Sequence, residues 1–463
     1  MNRTEKDSLG QMQIRSENLW GIHTQRALNN FKLSSCKISP ALIKSLAIVK
    51  KACCMANLET GKLKKQKAEV IIKACDEIIE GKHNDWFPLD PFQGGAGTSM
   101  NMNMNEVIAN LAIKMAGSKE GDYSVVHPLD DVNMHQSTND VYPTAVKVAV
   151  LDGLKNLSRN IEGLQGSFQG KEKEFSDTVK IGRTEMQDAV PMTLGAEFSA
   201  FSEAIARDRW RVFKCEERIR QVNIGGTAIG TGLTAPKSYI FLVIEKLREL
   251  TGFGLTRGEN AVDQTANSDN FVEVAGILKA HAANIIKICN DLRMLNLLGE
   301  IKLDIVQAGS SIMPGKVNPV ILEAAIQAAL RSDSDCNLVS EAASRATLQI
   351  NEFMPLLSLS ILEAIELLSN VDKMLTSHVK AIRVDSQICM NYFENNPTIV
   401  TAFLPYIGYE ACENILKEFY ELKDEKISIK VFLKRKLGDK KVEEILSPSN
   451  LMSLGYRDNE KST

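Results

Sequence analysis

The sequence predicts a mostly α-helical fold built around a long central helix bundle. Three observations carry that expectation. Strand signals are sparse, apolar residues recur at helical spacing over very long runs, and loop-like interruptions concentrate in three places.

The chain has 463 residues, more than one compact core holds, so two or three domains are expected. We read a smaller N-terminal helical domain over 1–134, a central long-helix domain over 135–388 and a small C-terminal helical domain over 389–463. The central segment gives the strongest signal. From Asp269 to Leu298, apolar residues stand at 271, 274, 275, 278, 282, 285, 286, 289, 292 and 295, with 272, 277, 283 and 288 widening the stripe. A helix apolar around most of its girth is buried on several sides. Similar runs cover 140–175, 192–222, 319–348 and 354–380. Five helices of roughly 40 Å each, at about 1.5 Å per residue, predict an elongated bundle through which subunits associate. Past about 388 the chain is shorter-ranged and more charged. The terminal stretches of about eight residues at each end are polar and expected to be disordered.

Composition narrows the function. Net charge is −3 and no long Lys/Arg run occurs, which argues against a nucleic-acid or anionic-membrane partner. The first residues lack an apolar signal-peptide core, and no stretch approaches 18 uninterrupted apolar residues. The nine cysteines are scattered, with no Cys-x-x-Cys pair and no metal-ligand spacing. Reduced thiols in a cytoplasmic protein are expected.

The interruptions carry the chemistry. The first is Gly94–Ser99, followed by Asn101, Asn103 and Asn105 alternating with methionines, which read as buried packing. The second runs from His127 to Asp140. The third, Gly309–Pro319, is the most informative. Gly309 and Gly315 permit backbone conformations that other residues avoid, Pro314 and Pro319 fix the chain, and between them stand Ser310, Ser311, Lys316 and Asn318. Lys and Asn two residues apart suit a carboxylate, and a Gly-flanked serine can act as nucleophile or base. A flexible polar surface loop has the same composition. A phosphate-binding loop is excluded: Gly309 to Gly315-Lys316 is one residue too long, and Val317 stands where Ser or Thr is needed.

Gly309–Pro319 resembles the signature of the aspartase/fumarase superfamily, in its aspartase and class II fumarase branch. Gly97–Val107, Asn133–Pro143 and Gly182–Pro191 resemble three further family blocks in the expected order, and the similarity runs from about Leu9 to Tyr456. Gly225–Gly232 lies inside it and reads as a helix connection, since no strand precedes it as a dinucleotide fingerprint requires. The resemblance implies a three-domain, mostly α subunit and a homotetramer with a twenty-helix core, each active site gathered from three subunits. It implies a lyase that eliminates ammonia from L-aspartate to give fumarate. Ser310 would be the base, Ser137, Thr138, Thr184 and Ser311 donors to the enediolate, Lys316 and Asn318 holders of the α-carboxylate, and Thr98 and Asn139 neighbours of the amino group. No cofactor and no metal are implied.

One block departs from the family pattern. Fumarases carry His and known aspartases Gln or His where this chain has Glu185. The Glu that supports the fumarase His is matched by Glu323, but the His is missing, which weakens the hydratase reading. Glu185 and Glu323 are expected to lie close together, sharing a proton or a cation. A related carbon–nitrogen lyase acting on an N-substituted aspartate, with an amine or guanidine leaving group, is therefore an alternative. A non-enzymatic relative of the fold is another, opposed by the intact Ser310, Lys316 and Asn318. Leu129 stands where Asn is usual, and His135 reads as a structural or interface histidine.

Overall fold

The computed structural model describes residues 2–422 and 427–456. Five long helices dominate it: Thr138–Glu174, Leu194–Ile219, Asp269–Leu297, Val320–Ser344 and Met354–Lys380. Each predicted long run is thus a helix with ends displaced by only a few residues. Among the described residues the β structure is four separate two-stranded sheets.

The chain forms two compact units. One comprises Met1–Arg159, Trp210–Ala283 and Ala328–Ser369; the other comprises Asn160–Arg209, Asn284–Gln327 and Asn370 onward. Each of the five long helices contributes residues to both units. In the first unit, helix Thr138–Glu174 packs on Met354–Lys380, with Tyr142 Oη 3.0 Å from Ser358 Oγ and Gly153 facing Ile365. In the second, the same pair continues: Ser167 Oγ donates to the Thr376 carbonyl (3.1 Å). There Phe168, Phe175, Phe198 and Phe201 form a buried cluster of mostly edge-on rings, the arrangement their quadrupoles favour. A further core of that unit joins Val179 and Ile181 to Phe393, Phe403, Phe432 and Leu433.

Met354–Lys380 is the one helix among the described residues long and apolar enough to cross a membrane, and 67% of its most apolar window is buried in the chain. That is the environment of a core helix.

One expectation fails. The first residues are not disordered: Asn2–Asp7 pairs antiparallel with Gly10–Arg15 across a tight turn. Arg3 donates to the carbonyls of Ser16, Asn18 and Trp20, and Glu5 accepts the Ile22 N–H (2.8 Å), so side chains rather than an apolar face tie the hairpin down. The expected disorder at the C-terminal end lies outside the described residues. The Met/Asn run behaves as read: Met100, Met102 and Met104 are buried on helix Thr98–Met115, although Asn101, Asn103 and Asn105 are buried with them.

Candidate active site

The site residues from the first two blocks lie in the first unit. Thr98 opens helix Thr98–Met115, its hydroxyl donating to the Gly95 carbonyl (2.7 Å). Gly97 before it has φ +94°, and a Cβ there would come within 2.6 Å of the Tyr142 ring. No other residue fits between that ring and the turn.

Ser137, Thr138 and Asn139 begin helix Thr138–Glu174, and a buried polar network sets their position. Asn139 N–H donates to Ser137 Oγ (3.2 Å), and Thr138 Oγ1 accepts from Asn101 Nδ2 (3.0 Å). Asp140, fully buried, accepts the N–H groups of Ser137, Gly225 and Thr227. Burial pushes its carboxyl up to about 7 against those donors. Pro143 has no N–H to offer the Asn139 carbonyl, which instead accepts from Asn223 Nδ2 (2.9 Å). The glycine-rich stretch between Gln221–Val222 and helix Lys237–Thr251 is therefore a clamp on this helix start as well as a connection.

The centre of the network is Lys50, which carries no sequence signal. Its ammonium, wholly buried, donates to Asn133 Oδ1 (2.8 Å) and Gln136 Oε1 (2.9 Å). Burial pulls its pKa down to about 8. Asn133 Oδ1 also accepts from Asn101 and Asn105. His135 sits at φ +61°, its Nδ1 2.7 Å from Asn57 Oδ1 and its ring packed on Tyr239, in keeping with a structural role. Leu129 is exposed in the short Pro128–Val132 turn.

The remaining site residues lie in the second unit. Strands Val179–Thr184 and Gln187–Thr193 form a hairpin whose two tip residues, Glu185 and Met186, have φ of +53° and +60°. That is the geometry of a two-residue turn matched to strand twist. It leaves Thr184 and Glu185 exposed, and Glu185 has no ion-pair partner among the described residues. Ser310 and Asn318 are brought together by Gly309. Asn318 Nδ2 donates to the Gly309 carbonyl (2.8 Å), and the Gly309 N–H to the Lys316 carbonyl (2.8 Å). Ser310 Oγ accepts the N–H groups of Ile312 (3.2 Å) and Met313 (2.9 Å). Ser311 and Lys316 are exposed on the same loop, and Glu323 is half-buried in the first turn of helix Val320–Ser344. No bond joins Glu185 to Glu323 within the chain among the described residues.

Chemically, the loop holds a serine oxygen facing two N–H donors, an ammonium and an amide, a set suited to proton abstraction beside a carboxylate. Among the described residues no group of three or more His, Cys, Asp or Glu could hold a metal ion.

Comparison with known proteins follows the same lines. A family described as lyase matches residues 10–332. An aspartate ammonia-lyase of a Bacillus species is 41% identical over 98% of this chain and 98% of its own length. An aspartate ammonia-lyase of Helicobacter pylori is also 41% identical, over 97% of this chain and 98% of its own. Among solved structures, a Brucella melitensis protein titled fumarate lyase:delta crystallin, bound to cobalt, superimposes with a TM-score of 0.92 at 40% identity, covering 97% of this chain and 99% of its own. A class II fumarase from Schistosoma mansoni gives 0.88 at 28% identity, covering 97% and 98%.

Proposed function

Because the chain belongs to the aspartase/fumarase superfamily and is an aspartate ammonia-lyase-like lyase, we propose that it eliminates ammonia from L-aspartate to give fumarate. The observation that carries this reading is the pair of N–H groups, from Ile312 and Met313, aimed at Ser310 Oγ. Donors to an oxygen favour its anionic form, and a serine must be an alkoxide to act as base.

Ser310 Oγ takes the proton from the carbon beside the β-carboxylate, and the electron pair moves into that carboxylate as an enediolate dianion. Ser137, Thr138, Thr184 and Ser311 donate to this charge, which is larger in the transition state than in the substrate. Lys316 and the second amide hydrogen of Asn318 hold the α-carboxylate. Thr98 and Asn139 face the ammonium group, the C–N bond breaks as the enediolate collapses, and fumarate and ammonia leave. Donors aimed at the β-carboxylate acidify the proton, so the step itself requires no cofactor.

The subunits form a homotetramer in this reading, each site drawing loops from three of them. Exposed Ile312, Met313 and Val317 on the signature loop, and Leu330 and Leu338 on the following helix, support association there. Nine free cysteines fit a reducing compartment such as the cytoplasm.

The test follows ultraviolet absorbance of fumarate when purified protein meets L-aspartate, with Ser310→Ala beside it. Product from wild type and none from the variant is the expected result; equal rates from both would remove Ser310 from the mechanism. The unpaired carboxylate of Glu185 favours one second reading, a substrate whose nitrogen bears a larger cationic group. Fumarate offered with amines and guanidines would then yield the N-substituted aspartate faster than ammonia yields aspartate.

A further inference from the structure

Asn139 carries an amide, which can turn either its oxygen or its nitrogen toward a ligand. In this chain a main-chain carbonyl makes the choice. Asn139 Nδ2 donates to the Ala228 carbonyl (2.7 Å). A carbonyl oxygen only accepts, so the NH2 end must face it, and Oδ1 is left as the acceptor of the amide. Thr98 meets the same condition within its own turn. Its hydroxyl proton goes to the Gly95 carbonyl (2.7 Å), which leaves the lone pairs of the oxygen.

The Ala228 carbonyl stands on a stiff loop. Thr227, at φ +55°, donates its N–H to Asp140 Oδ2 (2.9 Å), and Gly225 donates to the same oxygen (3.1 Å). Farther along, Thr227 Oγ1 donates to the Leu233 carbonyl (2.8 Å) and the Gly232 N–H to the Gly226 carbonyl (2.9 Å), which closes the loop on itself. Gly230 backs onto the start of helix Ala261–Ala266. A Cβ there would fall on the Ala261 carbonyl and the Val262 nitrogen, and its φ of +89° disfavours any side chain. From below, Asn223 Nδ2 donates both to the Asn139 carbonyl (2.9 Å) and to Thr265 Oγ1 (2.9 Å). Asn139 and Ala228 are thus pinned to one another from two sides, within one packing unit.

An amine needs acceptors from such a site. Bound as an ammonium group, the substrate nitrogen carries three N–H donors. When the C–N bond breaks, its electron pair stays on nitrogen, and ammonia leaves with those hydrogens. In the reverse direction ammonia attacks with its lone pair, which points at fumarate only while its N–H bonds point at acceptors. An amide turned the other way would donate into that lone pair and block the attack.

We propose that the Ala228 carbonyl is a positioning group, which turns the Asn139 amide so that Oδ1 faces the nitrogen of the substrate. This rests on the reading that Thr98 and Asn139 border the amino group, and it draws only on the block that one subunit supplies to a shared site. The glycine-rich stretch 225–232 thereby takes part in amine recognition without touching the substrate.

The experiment runs the full-length protein toward L-aspartate, with ammonium chloride and fumarate varied in turn. Gly230→Ala forces the loop off Ala261 and carries the Ala228 carbonyl away from Asn139. The KM for ammonium should rise about 10-fold, the cost of one lost hydrogen bond with a donor left facing a donor. The KM for fumarate, which has no amine, should stay within about twofold of wild type. Thr227→Val, which loses only the bond to Leu233, should shift the ammonium KM the same way by less, and it serves alone if Gly230→Ala does not fold. General damage to the site would move both constants. Both rising together, or both staying at wild-type values, overturns the proposal. If wild-type protein makes no aspartate at all, the reaction reading fails and this inference falls with it.

Discussion

At the residue scale, the signature loop turns on Gly309. Its backbone needs no left-handed conformation; what it needs is space. A Cβ there would stand 2.8 Å from the Lys316 carbonyl oxygen and 2.9 Å from the Asn318 nitrogen, both main-chain atoms that cannot swing away. Gly309→Ala should therefore break the Gly309–Lys316 bond and displace Ser310. A fall of about 100-fold in kcat is expected from misplacement on that scale, with the melting temperature nearly unchanged because the loop is exposed. A variant retaining wild-type kcat would show that the loop is reset when the tetramer or substrate forms. A second substitution addresses the leaving group: Glu185→Gln should raise the preference for plain aspartate over N-substituted aspartates, and loss of activity on all of them would refute the specificity role. These residues were legible because they sit in one short run where composition alone signals chemistry. Lys50 was not. It is a lone charge in ordinary sequence, and its partner Asn133 lies 83 residues away. Burial, which makes it important, is invisible until the chain is folded.

At the scale of elements, the long helices could be read because an apolar stripe repeating every three to four residues is a local property of sequence. The N-terminal hairpin could not. Asn2–Asp7 is wholly polar, and Gly10–Arg15 alternates only through Met12 and Ile14 between Gln11, Gln13 and Arg15, too short a pattern to mark a strand pair. Its anchor is instead the N-terminus of helix Ile22–Asn30, where Glu106 accepts from the N–H groups of Gly21, His23 and Thr24 and from the Thr24 hydroxyl. A carboxylate suits that end of a helix, yet burial pushes Glu106 from 4.5 up to about 7. An acid whose folded value lies above its unfolded one adds stability fully below the unfolded value. That contribution is lost as pH rises through the folded value. Stability of wild type relative to Glu106→Gln should thus decline between about pH 4.5 and 7, by about 1.4 kcal/mol for each unit separating the two values. Denaturation midpoints of the two proteins at pH 5 and pH 8 check it, and a constant difference would mean Glu106 does not titrate in that window.

At the scale of the whole molecule, compact packing and sequence segments divide the chain differently. The segment boundaries at 134 and 388 mark changes in residue character, whereas each boundary between the packing units falls inside one of the five long helices. The site residues follow the units: Thr98, Ser137, Thr138 and Asn139 belong to one, and Thr184, Ser310, Lys316 and Asn318 to the other. In the proposed tetramer each site takes its Asn139 block from one subunit and its Ser310 loop from another, and that arrangement has a consequence no single-chain site shares. Ser310→Ala and Asn139→Ala proteins, each inactive alone, should regain activity when unfolded and refolded together. A mixed site that takes its Ser310 loop from the Asn139 variant and its Asn139 block from the Ser310 variant carries neither lesion. Random assembly of equal amounts produces such sites about one time in four. Recovery toward a quarter of wild-type activity would place the two blocks on different subunits. A refolded tetramer with no more activity than its parents would place both blocks of every site on one subunit, and the shared-site reading would have to be abandoned.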